Sequence, residues 1–339
     1  MSGQPRGDIA YITAAANSSN PSARVGGITV LHRCLWLAAR GGATRAIVTF
    51  EGELPTVPGL VAERQLGAPI PAGAWIFSAD EVAGIALHSA ADHRRAEWQL
   101  LRSLPKTFQG PIDALVNHHV SLRITRLIAN SPLTPNHVTV VALLVGFFAA
   151  GLLLATRSNP AAWLWPVAGL ALFFQSVLDS CDGELARLRY QFSKLGQWLD
   201  NIADDLVDGS AMAALGVAAG GMWETLGLLA AGGRVFSQLA LYAQVKQRGG
   251  DFYDFRWWFE RSAATMDEVY DKASPLTHLR SLGRRDVYVF AWAVLVAVTP
   301  WWPIAIKLAA GYGVAISLGY VVLTVLHLAL SRRAASSNG

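Results

Sequence analysis

LDSCDGELARLRYQFSKLGQWLDNIADDLVDG, Leu178 to Gly209, decides how the rest of the chain is read. The stretch carries six aspartates, Asp179, Asp182, Asp200, Asp204, Asp205 and Asp208. It also joins two runs apolar enough to cross a bilayer. Ionisable groups inside a membrane are costly, so they mark function and need partners. Outward from this stretch, runs of about 20 apolar residues, the length that crosses a hydrocarbon core, recur. They predict spans at 137–156, 160–181, 197–220, 223–245, 286–302 and 304–330. Thr299–Pro303 (TPWWP) divides the last two and reads as an aromatic belt at an interface.

The loop cations give this array a direction. Arg123 and Arg126 precede the first span; Arg187, Arg189 and Lys194 separate the second and third. Lys246, Arg248, Arg256, Arg261, Lys272, Arg280, Arg284 and Arg285 lie between the fourth and fifth, and Arg332 and Arg333 follow the last. The opposite loops hold Arg157, with Lys307 near one edge. The positive-inside rule then predicts a cytoplasmic membrane protein with both termini and the aspartates on the cytoplasmic side.

Before the spans the composition changes. Residues 1–105 read as a small soluble α/β domain. GDIAYITAAA and RAIVTFEG are β-type runs around VLHRCLWLAARGGA, which has helical apolar spacing and a Gly-Gly stop, so a βαβ unit is expected. The Pro- and Gly-rich LPTVPGLVAERQLGAPIPAGAW reads as loop, and SADEVAGIALHSAADHRRAEWQLLRSL reads as a helix capped by Ser78. Residues 111–130 place Arg123, Arg126 and His119 among apolar residues at helical spacing, as in a helix lying in the headgroup plane. The expected fold is thus an α-helical integral membrane bundle of six transmembrane helices with an amphipathic interfacial helix (residues 106–335), preceded by the α/β domain.

Other classes fit less well. The chain of 339 residues is 53% hydrophobic and 15% charged, well below the charge of an ordinary soluble domain. A net charge of +4 without a basic stripe interleaved with aromatics does not indicate a nucleic-acid partner, and none is expected. Cys34 and Cys181 are too few for a disulfide framework or metal cluster. No apolar signal segment opens the chain.

Spacing turns the aspartates into a site. Asp179 and Asp182 are three residues apart, Asp200 and Asp204 four apart, so each pair shares a helix face. With span two running inward and span three outward, the pairs face each other near the cytoplasmic surface. Bare carboxylates so placed repel strongly. Oxygen-only ligands suit a hard cation, Mg²⁺ or Mn²⁺, and two facing pairs suit two ions, an arrangement fitted to displacement at phosphorus. Gly183 and Gly196 mark close approach of a ligand or backbone, and Arg187 suits a phosphate. Solvated helix ends salt-bridged to Arg187 and Lys194 are the bland alternative, and a cation or solute transporter is another. Transport predicts acids spread through the bilayer depth rather than gathered at one face.

The string D-x-x-D-G-x-x-A-R-x₈-G-x₃-D-x₃-D (Asp179, Asp182, Gly183, Ala186, Arg187, Gly196, Asp200, Asp204) matches the signature of the CDP-alcohol phosphotransferase family of integral membrane enzymes. The resemblance covers about residues 105–331, and Thr134–Asn136 (TPN) resembles the family's approach to its first span. It implies that an acceptor hydroxyl attacks the β-phosphate of a CDP-alcohol and that CMP leaves. It implies metal-ligand roles for Asp179, Asp182 and Asp200, and a general-base role for Asp204, which also lies at the metals. Gly183, Ala186, Arg187, Ser193, Gly196 and Asn136 fall on the CDP side. A homodimer is expected from the family.

The acceptor is less sharply marked. Arg234, inside span four, must face the bundle or a cavity. With Arg284 and Arg285 it suits an acceptor that carries phosphate; Asp208 either binds acceptor or is a hydrogen-bonding group. The junction LLRSLPKTFQGPIDALVNHHVSLRITRLIANSPLTPNHVT is similar to that of bifunctional inositol-phosphate cytidylyltransferase/di-myo-inositol-phosphate-phosphate synthases. The N-terminal domain resembles a degenerate nucleotidyltransferase: it is short, and AAANSSNPSAR stands where a Gly-rich nucleotide loop is expected. Two donor and product classes remain: CDP-inositol-type chemistry with a soluble phosphodiester, or CDP-diacylglycerol chemistry with a phospholipid of the phosphatidylinositol or phosphatidylglycerol phosphate type.

Overall fold

The computed structural model describes residues 8–15, 20–104, 110–159, 161–248 and 281–336. Arg256, Arg261, Lys272 and Arg280, used above to orient the spans, lie outside the described residues. The chain forms two compact units. The first holds Met1–Thr107, Ser121–Pro135 and Cys181–Phe192; the second holds Phe108–Val120, Asn136–Ser180 and Ser193–Gly339.

In the first unit, β1 (Ile9–Thr13) leads through the short strands β2 (Arg24–Val25) and β3 (Ile28–Thr29) to α1 (Val30–Arg40) and then β4 (Arg45–Val48). β1 pairs in parallel with β4, which gives the expected βαβ unit. Thr29 caps α1 by accepting from the His32 amide at 3.2 Å, and the helix stops at Gly41. β5 (Val61–Arg64) and β6 (Trp75–Ser78) complete a parallel sheet in the order β5-β4-β1-β6. Ala10, Ile12, Leu35, Ala46 and Val48 fill the core beneath it. Cys34 lies in that core as a free thiol, and burial pushes its pKa up to about 12, so it stays protonated and inert.

Two local expectations fail in this unit. The Pro- and Gly-rich segment holds strand β5, because Val61–Arg64 finds a free sheet edge beside β4. Ser78 ends β6 and does not open a helix. Ala83 and Gly84, with φ of 53° and 81°, turn β7 (Glu81–Val82) back on β8 (Ile85–Ala86), a left-handed pair that a helix cannot contain. The helix α2 begins later, at Ala90–Ser103, where Ser89 accepts from the Asp92 amide and donates to its carboxylate at 2.7 Å. That hydrogen bond holds the Asp92 carboxyl below its ordinary value.

The expected interfacial helix at 111–130 is also built differently. One π-helical turn, Asp113–Asn117, precedes α3, His118–Ile128. In the first unit α3 buries Ser121, Leu122 and Thr125 and leaves Leu127 exposed; in the second, Leu115 is exposed.

Among the described residues six further helices follow: α4 (Pro135–Ala155), α5 (Leu164–Arg189), α6 (Lys194–Ala219), α7 (Met222–Arg248), α8 (Arg285–Val298) and α9 (Ile304–Ser336). Among the described residues four of them, α4, α5, α7 and α9, are long and apolar enough to cross a membrane. α6 has the length, but it carries four aspartates, Asp200, Asp204, Asp205 and Asp208. α8 has only 14 residues, because the turn at Thr299–Pro303 ends it, whereas a span needs about 20. α5 runs past the predicted boundary at 181, and Ser193 starts α6 three residues early by capping the Gly196 amide at 2.9 Å. The core of the second unit contains Leu153, Leu172, Met212, Leu215, Tyr288 and Trp292. Its surface carries Phe148, Leu170, Leu229 and Leu318 exposed, the pattern of helices whose outer faces meet lipid. α6 and α7 pack closely: a Cβ on Gly216 would stand 2.7 Å from the Gly227 Cα, the small-residue contact that lets membrane helices approach.

Candidate active site

The second unit gathers three of the signature aspartates. Asp179 comes from α5, Asp200 and Asp204 from successive turns of α6, and one carboxylate oxygen of each lies within 4.8 Å of the others. α5 and α6 are consecutive in sequence, joined by a four-residue connection, and acids near their adjoining ends come together. All three are part-buried. Carboxylates this close need a shared proton or positive charge among them.

Arg285, the first residue of α8, supplies part of it. Its Nη1 lies 2.9 Å from both Asp179 and Asp204, and its Nε donates to Asp208 at 3.2 Å. Its Nη2 is buried and has no hydrogen-bond partner among the described residues. One turn further into α6, Asp208 is fully buried. It accepts from Arg234 at 3.0 Å and from the Tyr288 hydroxyl. Asp205 accepts from Arg234 at 3.1 Å and from the Tyr242 hydroxyl. Arg234 also lies over the Tyr320 ring, 4.6 Å from its centroid. Asp208 and Arg234, expected at the acceptor, are therefore largely spent on each other. Five carboxylates here face the two guanidiniums of Arg234 and Arg285. That excess of negative charge, with oxygen-only donors converging, fits divalent cations.

A cavity of about 230 Å³ opens beside the cluster, lined by Asp113, Ser176, Asp179, Asp204, Arg284, Arg285 and Asp286. Arg284 pairs with Asp286 at 3.2 Å. Asp286 in turn accepts from the backbone amides of Ile112 and Asp113 at 3.1 and 3.3 Å. It thereby satisfies donors at the start of the π-helical turn, as a capping acid does. Gly110 is needed there, because a Cβ would collide with the Asp286 carboxylate.

The remaining signature positions divide between the units. In the second, Ser193, Gly196 and Asn136 come together: a Cβ on Gly196 would stand 2.9 Å from both the Asn136 Oδ1 and the Ser193 Oγ. In the first, Asp182 is buried one turn along α5 from Asp179. Gly183 lies under Arg187, whose Nη1 is 3.2 Å from where a Cβ would be, and Ala186 shares that half-buried side of the helix. Glu184 is buried and accepts from Ser121 at 2.6 Å and Thr125 at 2.7 Å. Glu184, Tyr242 and Tyr288 were not singled out from the sequence. Each sits at an apolar-face position with no local signal of its partner.

Residues 132–258 match the family described as CDP-alcohol phosphatidyltransferase, a stretch that holds the whole signature. Over that stretch the chain is similar to this family. Its relatives agree. It is 35% identical over 159 residues to the bifunctional IPC transferase and DIPP synthase of Thermococcus kodakarensis, covering 46% of this chain and 34% of that protein. The protein of the same name from Archaeoglobus fulgidus is 39% identical over 118 residues, 34% of this chain and 22% of the relative. The archaetidylinositol phosphate synthase of Pyrococcus horikoshii is 30% identical over 129 residues, 38% of this chain and 64% of the relative. The chain thus matches about a third or less of the length of the two bifunctional relatives. With four apolar helices, α4, α5 and α7 inside the matched stretch and α9 beyond it, the protein is membrane-integral.

Proposed function

We propose that the protein transfers a substituted phosphate from a CDP-alcohol to an acceptor hydroxyl and releases CMP. The observation that carries this is the convergence of Asp179, Asp200 and Asp204 inside the matched domain. In the reaction an acceptor oxygen forms a bond to the β-phosphorus, the bond from that phosphorus to the bridging oxygen breaks, and CMP departs with the electron pair. Asp204 takes the acceptor's proton at a carboxylate oxygen, beside the cavity where the hydroxyl would sit. Asp179, Asp182, Asp200 and Asp204 would hold one or two Mg²⁺ or Mn²⁺ ions, which neutralise the diphosphate when bound. Gly183, Ala186 and Arg187, with Ser193, Gly196 and Asn136, take the CDP part: glycines admit the nucleotide, and the guanidinium meets phosphate.

The acceptor in this reading itself carries a phosphate. Arg284 and Arg285 line the cavity, and the Arg285 Nη2 has an unmet donor in a buried setting. Inositol phosphate is the acceptor that the names of the relatives favour. The proposal includes six spans, with α6 and α8 carried across by burying their charged turns against the other helices. Both termini and the site face the cytoplasm, with Leu115 and Leu127 in the headgroup layer, and the protein is a homodimer.

The test is CMP release by purified protein supplied with CDP-diacylglycerol or CDP-inositol, inositol phosphate, glycerol phosphate or inositol, and Mg²⁺. CMP formation with one donor, lost on chelation and restored by Mg²⁺ or Mn²⁺, is expected. Absence of CMP from every pair, by protein that is folded, overturns the reading. Cation flux through liposomes without CMP release would favour transport instead.

A further inference from the structure

Within the first unit, the end of α5 is fastened unusually firmly to the α/β domain. Arg33 on α1 is buried, and its Nη2 donates to the Val25 carbonyl at 2.8 Å and the Leu188 carbonyl at 3.1 Å. Leu188 lies in the last turn of α5, where carbonyls lose their helical partners and a cation is favoured by the helix dipole. Tyr190 ends the helix in the left-handed region, φ 56°. Its ring stacks on Trp36 of α1, with centroids 5.4 Å apart and planes 16° from parallel. The guanidinium carbons of Arg33 and Arg40 lie 5.5 and 5.7 Å from the centre of the same ring. The Leu188 side chain is buried beside Leu101, Leu122 and Ala129. Gly26, at φ 62°, leaves room for it; a Cβ there would stand 2.7 Å from the Leu188 Cδ1.

A second anchor comes from the segment after α3. Arg189 donates to the carbonyls of Ile128, Ala129, Ser131 and Leu133 at 2.5–3.1 Å. These contacts engage one side of α5: Glu184, Leu185, Leu188 and Arg189 are buried, whereas Gly183, Ala186 and Arg187 are only part-buried. The held side and the signature side alternate along the same two turns, so a rotation of the helix that loosened one would move the other.

We infer that the N-terminal α/β domain is a positioning platform for the nucleotide-binding face of α5, with Arg33 and Trp36 as positioning residues. They set the axial place and rotation of the turns that carry Gly183, Ala186 and Arg187. The domain needs no nucleotide chemistry of its own for this, which accounts for a sheet and helix retained without a Gly-rich loop. The inference rests on the reading of those three residues as the CDP-binding face.

The test uses the full chain and steady-state CMP release, with CMP binding by calorimetry as a readout independent of turnover. In Trp36→Leu and Arg33→Ala, KM for the CDP-alcohol and the CMP dissociation constant are expected to rise by about tenfold. kcat and the acceptor KM stay within about twofold. Trp36→Phe, which keeps a stacked ring, restores most of the donor affinity. Arg94→Ala, an exposed change on α2 of the same domain, leaves both constants unchanged. If Arg33→Ala does not fold, Trp36→Leu decides the matter, because Trp36 is only part-buried. Wild-type donor KM and CMP affinity in a folded Trp36→Leu protein overturn the inference, as does an equal loss in kcat and acceptor affinity. Failure of the proposed function shows differently, as wild-type protein that releases no CMP.

Discussion

Asp204 and Asp205 are adjacent on α6, yet they live in different electrostatic worlds. Asp204, with Asp200 one turn earlier, looks across at Asp179 and an open cavity. Asp205, with Asp208 one turn later, looks into Arg234, Tyr242 and Tyr288. The first pair is a cluster of acids with too little positive charge. The second is a closed network whose acids are already answered. Two like residues about a hundred degrees apart on one helix thus divide between an acid cluster and a closed ion-pair network, and Arg285 touches both sets.

The largest effect expected from breaking this contrast is on turnover. Asp204→Asn should lower kcat for CMP release by about 10²–10⁴-fold, the worth of a positioned general base. Its melting temperature should stay near wild type, because the substitution relieves repulsion. Near-wild-type kcat would remove Asp204 from the role of base. Asp208→Asn should do the opposite. It leaves Arg234 and Arg285 short of a buried counter-charge, at a cost of about 3–5 kcal/mol, measured as loss of folded protein in detergent. If it melts like wild type but is inactive, Asp208 belongs to the site after all.

Smaller changes sharpen the same division. Tyr288→Phe removes one donor from a buried carboxylate and should cost about 1.5–3 kcal/mol of stability, with the metal requirement unchanged. Donor KM should not move. Ser193→Ala loses a helix cap and should cost about 1 kcal/mol in thermal unfolding. A much larger rise in donor KM than that loss predicts would show the hydroxyl touching CDP as well as capping α6.

Much of this was readable in advance, for a physical reason. Apolar length marked α4, α5, α7 and α9, because burial in lipid or core selects the same side chains. The α5–α6 aspartates were legible from spacing, since a helix converts intervals of three and four into one face. The failures were local and steric. Ser78 looked like a cap, but the Ala83–Gly84 turn is a backbone conformation that composition does not reveal. Val61–Arg64 looked like loop because its strand exists only through pairing with β4. α8 was expected to run to 302, but its turn comes at Thr299.

By itself, then, the sequence determined the helical, apolar character of the chain after its α/β start and marked the aspartates by their intervals, because each is encoded at short range in period and spacing. Only the tertiary structure showed which aspartates converge and which are answered by a buried arginine. The sequence presents Asp200, Asp204, Asp205 and Asp208 as one acidic run along α6. Their partners, Arg234, Tyr242, Arg285 and Tyr288, come from α7 and α8, many residues further along the chain. A carboxylate's role is set by the charges packed around it, and that packing is a property of the fold.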